Sequence, residues 1–338
     1  MNKELYQKEI EAFDFDLSPL IGKSIMLSGA TGMIASYLID CLMIKGIDCR
    51  VIALGRSEEK ARNRFGDYFS RTNFKFYTCD INKPIEINEK ADYIIHAASN
   101  THPLAYSTDP IGTITANVIG LQNLLDFACT HNNERFVFLS SVEVYGENRG
   151  DTDAFVEDYC GYINSNTLRA GYPESKRVGE ALCQAYIKQK GMDIVIPRLS
   201  RAFGPTLLKT DTKALSQFLH KAIAGEDIVL KSAGTQYYSY LYVEDIVTGI
   251  LTCMFKGLNG EAYNVSDDSC NITLKDLAET IADIAGTKVV FELPDDAEKA
   301  GYSTATIAIL NSNKIGSLGW KTGAGIRESL EKTIKMLR

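Results

Sequence analysis

Several things are scarce in this chain of 338 residues, and each scarcity narrows what it can be. It has no apolar run of the roughly 20 residues that a membrane-spanning helix needs, so no membrane partner is expected. It has no Cys-x-x-Cys pair. Its eight cysteines, at 41, 49, 79, 129, 160, 183, 253 and 270, are as scattered as its four histidines. Neither a zinc centre nor a disulfide framework is expected from such spacing, and no metal site is assigned. Each cysteine reads as a small buried hydrophobe, which fits a reduced, cytoplasmic compartment. No basic block interrupts a net charge of −7, which argues against a nucleic-acid partner. Met1 to Ile10 is charged and polar, unlike a secretory signal. What is present, 45% hydrophobic and 23% charged residues, is the composition of a soluble globular enzyme. The length suits a major domain with a smaller lobe.

The most informative stretch is Ser24 to Leu38. Ile25 to Leu27 reads as a buried parallel strand, Gly29-Ala30-Thr31-Gly32 as a tight turn, and the residues from Met33 as a helix. Gly29 permits the turn. Gly32 lets a pyrophosphate approach the free N–H groups at the helix start, around Thr31, Met33 and Ile34, where the helix dipole favours an anion. Ala35 takes the place of the usual third glycine and still allows close helix–strand packing. This is the opening of a dinucleotide-binding fold. Arg50 to Leu54 is a second strand, and after it stand Gly55-Arg56-Ser57. An acidic residue there would hold a ribose 2′-hydroxyl, whereas a guanidinium and a hydroxyl suit a 2′-phosphate, which favours NADP over NAD. The other reading makes Arg56 a solvated loop residue stacked on adenine.

Phe74 to Cys79 is a third strand, and Asp80-Ile81 after it could accept from the adenine amino group. Ala91 to His96 is a fourth. The small residues Ala97, Ala98 and Ser99 beyond it leave room for a cofactor. His96 offers a base, although a structural histidine beside the cofactor is the preferred reading. Asn117, in a helix over 113–130, could face the active site. Phe136 to Leu139 is a fifth strand, ending in Ser140-Ser141. Farther on, Tyr172 and Lys176 are four apart and share a helix face. A tyrosine is a poor base near its free pKa of about 10. A neighbouring ammonium and a nicotinamide cation would bring the phenolate into working range. With Ser141 on the same substrate oxygen, the trio can remove a carbinol proton as hydride leaves for a nicotinamide.

Over about Lys23 to Trp320 the chain resembles the extended short-chain dehydrogenase/reductases, in particular the NAD-dependent epimerase/dehydratase group that acts on nucleotide sugars. The resemblance is carried by Gly29-Ala30-Thr31-Gly32, Asp80-Ile81, His96-Ala97-Ala98, Ser140-Ser141 with Val144-Tyr145-Gly146, and Tyr172 with Lys176. Pro197-Arg198, Phe203-Gly204-Pro205, Tyr242-Val243-Glu244-Asp245 and Tyr263-Asn264-Val265 complete it. It implies an α/β architecture: a Rossmann doubly wound parallel sheet with a smaller C-terminal α/β substrate lobe. The division expected is a lead-in at 1–20, the NAD(P)-binding domain at 21–200, and mainly the substrate lobe at 201–338. About 239–256 would return to the Rossmann domain. The partners implied are a nucleoside diphosphate sugar and a second copy of the chain, packed through the helices around Leu121 and Tyr172. The cofactor implied is NAD, against the preference for NADP read from Arg56. Arg198 joins the cofactor contacts by the same resemblance.

The shared first step of the family is oxidation at sugar C4. Epimerases then return the hydride to the other face, dehydratases eliminate water from C5–C6, and decarboxylases lose CO₂, since a C4 ketone makes the C5 carboxylate a β-keto acid. Dehydratases that resemble this chain carry an Asp–Glu pair after Ser141. Here the pair is Val142-Glu143. UDP-glucuronate decarboxylases keep that glutamate, and 4-epimerases have no carboxylate there. Glu143 therefore favours a UDP-glucuronate decarboxylase-like reaction, with 4-epimerase, 4,6-dehydratase or NADP-dependent sugar reductase as alternatives. A non-catalytic scaffold is disfavoured by the intact Ser141, Tyr172 and Lys176. Two departures concern the diphosphate. Tyr238 stands where the family usually has an arginine, and Arg201 where it usually has asparagine. The expectation is that Arg201 replaces the missing charge. The polar, Asn-rich segment from Asp151 to Ala170 could cover the sugar, and Lys209 and Lys213 could touch phosphate.

Overall fold

The apolar runs become parallel strands because a strand covered on both faces must be hydrophobic throughout. In the computed structural model, which describes residues 1–101, 103–292 and 306–338, these are β1 (Ser24–Ser28), β2 (Arg50–Gly55), β3 (Phe74–Thr78), β4 (Tyr93–His96) and β5 (Arg135–Phe138), followed by β6 (Ser140–Ser141) and β7 (Ile194–Leu199). Ile25, Met26, Leu27, Val51, Ile52, Ala53 and Leu54 are all fully buried. Three strands of a smaller assembly come next, β8 (Arg201–Phe203), β9 (Ile228–Leu230) and β10 (Tyr237–Tyr242), before β11 (Ala262–Val265) rejoins the large sheet. The large sheet runs in the order β11-β7-β5-β4-β1-β2-β3, with β6 also beside β7, and all its pairings are parallel.

Helices cover both faces. They are α1 (Lys3–Ala12), α2 (Met33–Ile44), α3 (Glu58–Phe65), α4 (Pro103–Thr108), α5 (Pro110–Thr130), α6 (Gly171–Lys190), α7 (Ala214–Ile223), α8 (Val243–Lys256), α9 (Leu274–Ala285) and a closing helix, α10 (Ile326–Leu337). α2 is buried without a break from Ala35 to Met43, as befits a helix apolar on every side. Its one buried acid, Asp40, accepts from the phenols of Tyr6 (2.5 Å) and Tyr68 (2.9 Å) and pairs with Arg64. Tyr6 belongs to α1, so residues 1–20 are docked on the nucleotide-binding domain rather than leading into it. α6 lies close on β5 because Gly179 has no Cβ. One added there would meet the Phe138 ring at 2.5 Å.

The smaller lobe is built on β10, which pairs with β8, with β12 (Asn271–Thr273) and with β14 (Ile307–Ala308), while β9 pairs with β13 (Val289–Phe291). Residues 239–242 are therefore part of the small sheet. The return to the large one begins with α8 and ends with β11, later than the expected 239–256. The segment after β6 is tied down as well. Phe155 is fully buried, bridges to Leu310 and stacks on Tyr145, with ring centroids 4.8 Å apart. Among the described residues no helix is long and apolar enough to cross a membrane.

Candidate active site

The nucleotide end of the cleft is made of absences. Gly29 has φ +66°, and a Cβ on it would lie 2.7 Å from the Ala98 Cα and 2.8 Å from the Ala98 N. The turn therefore presses against the strand end at Ala97-Ala98, where only glycine fits. Gly32 is the N-cap of α2 and supplies no side-chain cap, so the first-turn amides around Met33 and Ile34 are open to an anion. A dinucleotide phosphate fits this cradle. Ser28, which the sequence did not single out, fixes it: its Oγ accepts from the backbone N–H of Ala97 and Ala98, both at 3.2 Å. It also shares a hydrogen bond with His96 Nδ1, 2.8 Å away. Burial, with help from Lys176, pushes the His96 pKa down to about 3, so His96 is a neutral structural group and a weak base.

The adenosine end is more open. Arg56 is exposed at the end of β2, and the Ser57 Oγ accepts from Lys60 N at 3.2 Å, capping α3. A Cβ on Gly55 would touch the Phe76 ring at 3.1 Å, which leaves little room for an acidic side chain there. Asp80 is exposed and its Oδ1 holds Asn82 N at 3.1 Å, while Ile81 is buried against Gly120 of α5. Ser99 is half-buried at the end of the Ala97-Ala98 run.

At the reacting end α6 presents Tyr172 and Lys176 towards β6. Ser141 hydrogen-bonds the Tyr172 phenol, and its Oγ accepts Glu143 N at 3.3 Å. Burial pushes the Tyr172 pKa up to about 12, with the Ser141 bond acting in the opposite direction. Lys176 donates to the Leu139 carbonyl at 2.8 Å, and its Nζ is 6.0 Å from the Tyr172 ring centre. It thus acts on the phenol through space rather than by contact. Burial lowers its pKa to about 7. Asn117 is fully buried: its Nδ2 donates to Ser175 Oγ at 2.9 Å and braces α6, while its Oδ1 has no partner among the described residues.

Two residues absent from the sequence reading complete this end. Arg169, three residues before Tyr172, donates from Nη2 to both oxygens of Glu143 at 2.9 and 2.8 Å. Its Nη1 is buried without a partner among the described residues. Its guanidinium lies 4.9 Å from the Tyr106 ring centre, and Tyr106 in turn stacks on Tyr172 at 5.0 Å. The signal for Arg169 was a lone cation beside the Tyr-x-x-x-Lys pair. Tyr106 had none, since a six-residue helix carries it in from β4. Glu143, Arg169 and Arg201 line one cleft of about 230 Å³, together with Tyr162, Asn164 and Thr167 from the segment after β6. Arg201 stacks on Tyr238, and its Nη1 is also buried without a partner among the described residues.

Other expected contacts lie elsewhere. Arg198 is the clearest correction. Its Nε and Nη2 donate to Glu180 (3.0 and 2.7 Å), and its Nη1 to Tyr145 OH and the Glu157 carbonyl (2.9 and 2.6 Å). Partners from three stretches of chain make it a joint of the scaffold rather than a cofactor contact. Lys213 pairs with Asp211, and Lys209 is exposed. Leu121 itself is fully buried in the core between α5, α6 and the sheet, while Ile114 and Ile119 on the same helix are exposed.

Comparison with known proteins agrees with this geometry. Residues 25–266 match the family model for the NAD dependent epimerase/dehydratase family. UDP-glucuronic acid decarboxylase 1 of Danio rerio is 30% identical over 317 residues, covering 93% of this chain and 72% of the relative. UDP-glucuronic acid decarboxylase 5 of Arabidopsis thaliana is 30% identical over 310 residues, 90% of this chain and 86% of the relative. Among solved structures, UDP-glucose 4-epimerase of Thermotoga maritima superposes with a TM-score of 0.79 at 21% identity, over 93% of this chain and 98% of that one. UDP-glucuronic acid 4-epimerase of Bacillus cereus, solved with UDP-glucuronic acid and NAD, gives 0.77 at 20% identity, over 93% and 98%. With its Rossmann sheet and its Ser141, Tyr172 and Lys176 brought together, the chain belongs to the NAD dependent epimerase/dehydratase family.

Proposed function

We propose that this enzyme decarboxylates a nucleotide uronic acid of the UDP-glucuronate type. The observation that carries the reading is Arg169: one nitrogen is held by Glu143, the other is buried without a partner among the described residues, and both stand beside Tyr172. A carboxylate on sugar C5 is the anion that would fill that place when O4 meets Tyr172. The names of the relatives at 30% identity point the same way.

In this reading Tyr172 takes the proton of the C4 hydroxyl, and Ser141 holds the same oxygen. A nicotinamide cofactor would be held by the Gly29–Ile34 turn and the Ala97-Ala98 strand end, and would supply the hydride chemistry at C4. With C4 a ketone, the C5–C6 bond breaks, CO₂ leaves, and the electron pair runs to O4, where Ser141 and Tyr172 stabilise the charge until a proton from water adds at C5 and restores the ketone for reduction. A full cation on the departing carboxylate would oppose its conversion to neutral CO₂. Glu143 offsets the charge of Arg169, so the clamp orients the carboxylate without locking it in. The adenosine end supports acceptance of NADP beside NAD, because Arg56 is exposed and no acid stands at Gly55. The exposed apolar side chains Ile111, Ile114 and Ile119 on α5 and Val178 on α6 support a homodimer packed through these two helices. Light scattering on an Ile119→Glu/Val178→Glu variant, expected to be monomeric, checks it.

Mass spectrometry of products from UDP-glucuronate, UDP-glucose and dTDP-glucose, with NAD⁺ and NADP⁺ supplied separately, tests the reaction. Loss of CO₂ from UDP-glucuronate is expected. An unchanged mass with a new chromatographic peak would replace this reading by epimerisation. Loss of water from a hexose would replace it by dehydration, and net formation of reduced NADP by a net redox enzyme.

A further inference from the structure

The cleft holds two guanidinium groups, and only one has a counter-ion among the described residues. Arg169 is paired with Glu143, the carboxylate at the reacting end. Arg201, in β8, has no ion pair among the described residues, and its Nη1 is buried without a hydrogen-bond partner. Its guanidinium carbon lies only 3.6 Å from the centre of the Tyr238 ring. That separation is a face-to-face stack, in which the ring quadrupole steadies the cation while the planar edge with its N–H donors stays available. The stack is set by strand pairing. Tyr240 is level with Arg201 across the β8–β10 ladder, so Tyr238, two residues back along β10, lies on the same face, one step along. Tyr238 is buried, with 7% of its surface exposed. A ring so covered has little surface for a ligand. Its place in the site is under the arginine.

A buried donor on an unpaired cation is costly unless an anion arrives. Glu143 is already committed to Arg169, so that anion must come with the ligand. We propose that Arg201, held flat on Tyr238, receives the diphosphate of the nucleotide sugar, and that Tyr238 is a positioning residue for it rather than a substrate contact. This deepens the reading of the cleft given above and rests on it for the identity of the ligand as a nucleotide sugar. The two cations then divide the substrate. Arg169 serves the sugar end beside Tyr172, and Arg201, on the wall formed by the smaller lobe, serves the bridge to the nucleoside.

The test is calorimetric binding of UDP, dTDP, UDP-glucose and UDP-glucuronate to the full chain, with NAD⁺ affinity and Tm as controls. Arg201→Gln is expected to weaken all four nucleotides alike, by about 10- to 100-fold, because the lost bonds are charge-assisted and common to all. NAD⁺ affinity should not move. Arg201→Lys should fall between, keeping a charge but losing the planar stack. Tyr238→Phe keeps the aromatic face and should weaken binding less than Tyr238→Leu, which should weaken it several-fold and steepen the loss caused by added salt. Unchanged UDP affinity in Arg201→Gln would overturn the proposal, and selective loss of UDP-glucuronate would reassign Arg201 to the sugar carboxylate. If UDP binding weakens as expected while the wild type releases no CO₂ from UDP-glucuronate, the decarboxylase reading fails and this assignment stands. Should Arg201→Gln not fold, the comparison of Tyr238→Phe with Tyr238→Leu decides by the same readout.

Discussion

The two ends of the cleft are built on opposite principles. The cofactor end is shaped by side chains that are missing: Gly29 and Ala98 let two backbones close up, Gly32 leaves the first-turn amides of α2 uncapped, and a single serine, Ser28, ties two strand ends together. The sugar end is shaped by long charged side chains, Glu143, Arg169 and Arg201, that reach into one space from three separate segments, with the Tyr106 ring packed against Arg169 and Tyr172. A site made of backbone tolerates almost no added atom but needs no charge balance. A site made of side chains can be re-wired by moving a charge from one strand to its neighbour.

That contrast can be broken by experiment. The largest effect is expected at the seam between the two ends. Tyr172→Phe removes the proton acceptor and should lower kcat by about 10²- to 10⁴-fold, with UDP and NAD⁺ affinities unchanged in calorimetry. Next comes Gly29→Ala, where the new Cβ meets Ala98 backbone in a left-handed turn. A loss of about 2–4 kcal/mol in urea unfolding is expected, with cofactor affinity collapsing and UDP affinity kept. If NAD⁺ still binds tightly, the claim that absence builds this end is wrong. Arg169→Met should do the reverse. Turnover of UDP-glucuronate should drop about 10- to 100-fold, with KM rising and NAD⁺ binding intact, since a buried charge-assisted bond is lost.

A smaller effect has a sign that depends on pH. Burial holds the Lys176 pKa at about 7, well below its unfolded value. Below pH 7 both states carry the proton, and the folded state bears the whole cost of the buried charge. As pH rises above 7 the folded chain releases the proton while the unfolded chain keeps it, so the wild type gains stability. Inactive Lys176→Met should therefore be more stable than the wild type near pH 6, by about 1–3 kcal/mol, and the advantage should fade towards pH 9–10 in cofactor-free melts. An advantage that grew with pH would contradict the buried-charge account. The smallest effect is expected from Arg56→Ala, an exposed residue: a loss of roughly three- to five-fold in NADP⁺ affinity with NAD⁺ unaffected, by titration.

The same contrast decides what could be read from the sequence. Strand–turn–helix with Gly29 and Gly32 is a local pattern, so the sheet, the cofactor turn and the Tyr172–Lys176 spacing on α6 were all legible. Arg198 was misread because a short motif carries no information about distant partners, and Glu180, Tyr145 and Glu157 claim it only after folding. Arg169 and Tyr106 were passed over for the same reason, since their stack on Tyr172 depends on where the segments before α5 and α6 come to rest. The boundary of the smaller lobe shifted because β10 and α8 are contiguous in sequence but serve different sheets.

One consequence of that interleaving concerns the growing chain. β7 is an edge of the large sheet until β11 pairs along it, and β11 is translated only after β8, β9, β10 and α8. At ribosomal rates of about 5–20 residues per second, the bare flank of β7 faces the crowded medium for several seconds. Its residues Ile194, Val195 and Ile196 form the kind of apolar edge on which other nascent chains can dock. Aggregation during synthesis should therefore respond to substitutions in β11 that leave the finished enzyme untouched.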